Sequence, residues 1–295
     1  MAVLTQALAS AESYVNFFSH QPIPVLRRTS VEIKRMAEDM DNASRQEIAA
    51  LILADPLMSM RMLSHIETHR KNTQNHDIVT ISSALVMMGI LPFFRAFGDL
   101  PTAEDALNDR PQALVGLLRV VGRACKASRF ARDWAVVRHD LDVNEITIAA
   151  LLHEAAEMMC WINAPDLTQQ VADMQRTDRG LRSSIAQREV FGVTAREIQF
   201  GLIRAWRLPD LLIKLLDESK ANDPRVQTII LATNFARHLA HGWENAALPD
   251  DIYKLHDLLR IPYEALLRRV DAPQEFWPYL LSVHTGTYRR PEPKS

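Results

Sequence analysis

The chain has 295 residues, with 34 Lys and Arg against 36 Asp and Glu and a net charge of -2. A 47% hydrophobic content is enough to bury a large core, and the near balance of charge gives no general pull toward DNA or an anionic membrane. No apolar run reaches the ~20 residues that a bilayer span needs, and Met1 to Ser19 lacks the basic start of a secretory signal. A cytoplasmic protein is therefore expected.

Only 9 glycines and 15 prolines punctuate the chain. Apolar residues recur at helical spacing nearly throughout, and alternating strand patterns are absent. This predicts an all-α, multi-helical bundle of about a dozen or more short helices. Ser44-Arg45-Gln46-Glu47 reads as a capping box. Asp55-Pro56 reads as N-cap and first helical position of a segment running from Leu57 to Ile66. Thr80 opens Ile81–Met88, and Gly89 suits its stop. Pro101, Asp105, Asn108-Asp109 and Pro111 mark a seam near residues 100–112. It separates lobes of about 14–100 and 112–270 within one domain spanning 14–270. Asp142-Val143-Asn144-Glu145 and Thr194-Ala195-Arg196-Glu197 read as further capping boxes. Asp223-Pro224 starts a helix that Gly242 can end, and Leu248-Pro249-Asp250 and Ile261-Pro262 introduce two more. Residues 271–295 form a C-terminal segment, and its polar last ten, Gly286 to Ser295, are expected to be disordered.

Clusters with a chemical or binding reading are few. Cys125 and Cys160 have no zinc spacing and read as buried reduced thiols. The methionine runs Leu57 to Met62 and Val86 to Met88 read as adaptable core, with a binding groove as the second reading. Tyr14, Phe17 and Phe18, and Phe276, Trp277 and Tyr279, read as terminal helices packed on the body, with docking surfaces as the alternative. Phosphate loops and nucleophile elbows are absent.

The most informative segment is Ala149 to Met159, which carries His153, Glu154 and Glu157. On one helix, His153 and Glu157 share a face. The pattern H-E-x-x-E stops short of the zinc-protease H-E-x-x-H. No histidine lies between His76 and His139 or between His153 and His238, so imidazole partners for a metal are scarce. His153 reads as a hydrogen-bonded core residue, and Glu154 and Glu157 as partners of arginines such as Arg119 or Arg123. His139-Asp140 reads as a solvated turn. His65, His69 and His76 read as a polar loop or helix end, and His238 and His241 as cations at a helix C-terminus.

Five ordered segments resemble the HDOD domain, the HD-related output domain of bacterial signalling proteins. Pro22 to Leu26 resembles its LPxLP opening. Ile52 to Leu63 resembles its I-x-x-DP-x-L junction, and Ile81 to Gly89 its I-x-x-AI-x-x-LG segment. Ala150 to Glu154 is similar to the LLHD core helix of the HD phosphohydrolases, with Glu154 for the aspartate. Glu189 to Ile198, with Trp206-Arg207-Leu208-Pro209, resembles E-x-x-x-G-x-x-H and its trailing W-x-LP. The match departs at Leu63 to Glu67, where many relatives carry an ANS tripeptide. Ala195 stands for a common histidine, and Asp217-Glu218 stands where relatives often show paired histidines. The resemblance implies an output role in bacterial signal transduction, and the scarcity of histidines around the core helix turns the expectation to a non-catalytic module with no cofactor and no bound metal, His153 and Glu154 marking the vestigial HD position. It implies a signalling protein or small-ligand partner and no membrane, with upstream input from a separate protein; the charge balance argues against nucleic acid. The alternative is a degenerate metal-dependent phosphohydrolase of a nucleotide or cyclic dinucleotide, with ligands drawn from His139, His153, Glu154, Glu157 and Asp217.

Overall fold

The computed structural model of the chain describes residues 2–40, 42–69, 80–178 and 180–286, without the side chains of residues 68 and 69. These residues are helical nearly throughout, and the one strand-like pairing among them is an isolated parallel bridge between Val25 and Thr102. The all-α expectation holds. The disorder expected for the last ten residues concerns, beyond Gly286, positions outside the described residues. No described helix is long and apolar enough to cross a membrane.

In chain order the helices are α1 (Ala11–Ser19), α2 (Arg27–Glu38), α3 (Arg45–Leu53), α4 (Pro56–His69), α5 (Ile81–Met88), α6 (Ile90–Phe97), α7 (Ala103–Ala106), α8 (Pro111–Val137) and α9 (Val143–Leu152). There follow α10 (Ala155–Asn163), α11 (Pro165–Thr177), α12 (Ser183–Phe191), α13 (Ala195–Ala205), α14 (Asp210–Leu215), α15 (Pro224–Leu239), α16 (Leu248–Leu259), α17 (Tyr263–Arg269) and α18 (Trp277–Leu280). They form two compact units, residues 1–122 with 154–213, and 123–153 with 214–295. Residues 100–112 lie inside the first unit. Val25 N–H donates to Pro101 O at 2.9 Å there, and Ala103 N–H donates to Val25 O at 2.8 Å.

The local start signals act through the first, otherwise unbonded N–H groups of each helix. At α3, Glu47 N–H donates to Ser44 Oγ at 3.1 Å and Ser44 N–H to Glu47 Oε2 at 3.1 Å. At α13, Thr194 and Glu197 exchange the same two bonds at 3.3 and 2.7 Å. The bonds from Ser44 and from Thr194 hold the Glu47 and Glu197 carboxyls below the ordinary range. Thr80 caps α5, and Gly89, at φ +81°, closes it.

The third expected box is not formed. The Asp142 side chain makes no capping bond and instead accepts from Arg225 Nη1 at 2.7 Å. The carboxylate directs its charge to a guanidinium instead of to the first N–H groups of the helix, and that partner stands 83 positions away, beyond the reach of a local pattern.

In the first unit α1 packs on α13, α10 packs on α4, α11 and α13, and α3, α4 and α5 pack together. Two glycines permit close helix approach. A Cβ at Gly201 would stand 2.3 Å from Val15 Cγ2, and one at Gly116 would stand 2.5 Å from the Trp161 ring. Tyr14 of α1 is fully buried, and its hydroxyl donates to Phe191 O at 3.1 Å. Asp55 is also fully buried. Its carboxylate accepts from Leu26 N at 2.8 Å, Leu57 N at 2.9 Å and Met58 N at 3.2 Å, so one side chain joins the starts of α2 and α4. Burial nonetheless pushes its carboxyl above the ordinary range, against these bonds. The methionine runs divide: Met58, Met60 and Met62 are fully buried, whereas Val86 and Met87 are 65% and 51% exposed.

In the second unit α15 packs on α9 and α16, and α16 packs on α17 and α18. Phe130 and Trp134 of α8 stack at 5.4 Å, and Phe235 of α15 meets both edge-on. Arg138, just past α8, donates to Pro224 O at 2.6 Å and Thr228 Oγ1 at 2.8 Å, which braces the following turn on α15. The terminal aromatics expected to pack on the body do so in part, since Phe17, Phe276, Trp277 and Tyr279 stay partly exposed. Phe18 is fully buried, Trp277 Nε1 donates to Ala272 O at 2.9 Å and Tyr279 Oη donates to Asn245 O at 3.1 Å.

Candidate functional site

Every residue of α9 from Ile146 to Leu152 is buried, so beyond its first turn this helix has no water-facing side. The single helix expected through residues 149–159 is broken. α9 ends at Leu152, Glu154 takes φ -105° and ψ 22°, and α10 begins at Ala155. No glycine or proline marks the break. A tertiary acceptor supports it instead: Ala156 N–H, an orphan donor of the new helix start, gives its bond to Gln199 Oε1 at 2.7 Å. The break removes the shared face of His153 and Glu157. His153 belongs to the second unit, and Glu154 and Glu157 belong to the first.

The His153 side chain is 13% exposed, and its Nε2 lies 3.2 Å from Glu218 Oε1. Its Nδ1 is buried and has no hydrogen-bond partner. With Nε2–H donated to the carboxylate, Nδ1 is left as an acceptor without a donor. Glu218 follows Asp217, whose Oδ1 accepts from Ser219 N at 3.1 Å and Ser219 Oγ at 2.6 Å. The expectation of a hydrogen-bonded core histidine thus acquires a partner 65 positions away that the sequence pattern did not supply. The one signal was the acidic pair standing where relatives show histidines. Glu154 is 6% exposed and ends no helix with its side chain.

The remaining candidates are dispersed. His139 is exposed, at φ 57°, on the turn after α8. Asp140 departs from the solvated reading: its side chain is 14% exposed and lies 3.5 Å from Arg138. The His65 ring meets Phe97 at 5.1 Å, whereas the His69 side chain and His76 lie outside the described residues. His238 does more than sit at a helix end. Its Nδ1 lies 2.6 Å from the buried Asp251 carboxylate, tying the end of α15 to the start of α16. Cys160 is buried, and burial pushes its thiol up, whereas Cys125 is only partly buried, contrary to expectation. Tyr263 stacks on His256 at 3.9 Å and meets His284 at 4.4 Å, a grouping that no local pattern announced.

A metal of the HD type needs several donors converging from separate helices. Among the described residues no three His, Cys, Asp or Glu side chains come together in a way that could hold an ion. His153 offers one orphan nitrogen beside one carboxylate, and that pair does not fit such a centre.

The HDOD domain model matches residues 23–221. Among solved structures, the MmoQ response regulator from Methylococcus capsulatus str. Bath is 19% identical, at a TM-score of 0.56, over 89% of this chain and 99% of that one. A virulence factor from Campylobacter jejuni subsp. jejuni is 16% identical, at a TM-score of 0.64, over 92% and 97%. At these identities the likeness is one of fold. No curated protein sequence matches significantly. With the family model spanning well over half of the chain, in the segments whose motifs pointed to it, the chain belongs to the HDOD domain family.

Proposed function

We propose that this chain is a non-catalytic regulatory module of bacterial signal transduction that acts by binding a protein partner or a small ligand. The observation that carries the reading is the fate of the HD position. His153 is turned onto Glu218, the helix breaks before Glu154, and no donor set converges among the described residues. Membership of the HDOD family, and a fold shared with a protein described as a response regulator, support the signalling context.

Metal analysis of protein purified without added metal, paired with a phosphodiesterase assay on nucleotides and cyclic dinucleotides, tests it. The expected result is substoichiometric metal and no turnover. Near-stoichiometric iron or manganese, lost together with turnover in His153→Ala, would establish the degenerate phosphohydrolase instead.

A further inference from the structure

The protein is slightly acidic overall, with a net charge of -2, but one face of the second unit is not. Lys126, Arg129 and Asp133 are three, four or seven positions apart on α8 and share a helical face. Arg269 of α17 forms an ion pair with that face at Asp133, which brings Arg269 beside the α8 cations. Arg268 is in turn paired with Glu264. Asp133 and Glu264 are therefore both matched. Lys126, Arg129 and Arg132 have no acidic partner among the described residues, and Arg129 and Arg132 are exposed.

Pro262, Glu264, Ala265, Arg268 and Arg269 line an open depression of about 670 Å³. On α8, Val136 stands one turn beyond Arg132 and is 54% exposed. The face thus combines surplus positive charge with exposed apolar groups, Pro262 and Ala265 at the depression and Val136 on α8.

We propose that this face, centred on Arg129 and Arg132, is the docking surface for an acidic, amphipathic segment of a partner protein. The proposal rests on the regulatory reading and names the chemistry of its partner. Charge complementarity selects an acidic occupant, because three unmatched cations raise the rate of encounter with it and lower that with a basic one. The apolar footholds select a protein segment over nucleic acid. A phosphate backbone would leave Val136, Pro262 and Ala265 unused and would meet Asp133 and Glu264 among the cations. Arginines suit the role because their planar forks bind carboxylates in pairs of bonds.

The test uses the full chain and three labelled probes: a helical peptide of glutamates and leucines, the same peptide with lysines for glutamates, and a single-stranded DNA of equal charge. The acidic peptide is expected to bind in preference to both others and to weaken steadily as salt rises. Arg129→Glu with Arg132→Glu should weaken it about tenfold or more, and the Gln pair should do so to a smaller degree at an unchanged melting temperature. Val136→Asp should weaken it as well. Absence of binding, equal binding by the Glu pair, or tighter binding of the DNA overturns the proposal. None of these outcomes bears on the regulatory reading, which stands or falls on metal content and turnover.

Discussion

Asp55, fully buried, and His153, largely but not fully covered, are both polar residues at helix junctions, and they are solved in opposite ways. Asp55 accepts three backbone N–H bonds and holds two helices at their starts. His153 has one carboxylate on one nitrogen and nothing on the other. A buried polar group whose capacity is used resists replacement, and one half used does not. The DP junction is therefore an architectural element of this chain, and the HD-like position is a residue that the architecture tolerates.

The largest effect should come from Asp55→Ala, which leaves three N–H groups unpaired near two buried helix starts. A loss of about 3 kcal/mol is expected in urea unfolding, and a loss under 1 kcal/mol would break the contrast. Gly201→Ala comes next. Its new methyl must displace Val15, at about 1–3 kcal/mol for overpacking, and calorimetry should show a lowered Tm. Thr194→Ala should cost about 1 kcal/mol through the lost cap. His153→Leu should be the mildest, within about 1 kcal/mol of the parent, because the apolar side chain relieves the orphan nitrogen at the expense of one partly exposed pair.

The pH dependence sharpens the same contrast. Glu47 and Glu197 are held low in the folded state by their capping boxes, so their stabilisation is present above the ordinary carboxylate range and is lost as pH falls through their folded values. Asp55 has the opposite sign. Its carboxyl is pushed up by burial, so protonation favours the fold and its share grows as pH falls. The Tm gap between the parent and Asp55→Asn should therefore widen with acidification from above the raised value down to the ordinary carboxylate range. A gap that narrows there would show that the hydrogen bonds outweigh burial.

The elements that were legible in the sequence are those specified within four residues. The boxes at Ser44 and Thr194, the caps at Thr80 and Asp55 and the stop at Gly89 each rest on near neighbours, and each is formed. Asp142 carries the same local signature and fails because Arg225 competes for it. The break after Leu152 is invisible for a related reason: its support, Gln199, comes from another helix. The Glu218 partner of His153 and the Tyr263 stack are likewise products of packing, which a pattern of neighbours does not encode. Even the two methionine runs, alike in composition, are separated only by which helices cover them.

The hollow that Gly201 leaves for Val15 fixes where this protein can be cut. The matched family range starts at residue 23, yet α1 ends at Ser19, packs on α13 and buries its own Tyr14 and Phe18. Trimming to that range would strip a lid from greasy surface and turn a tidy boundary on paper into a sticky protein in the tube.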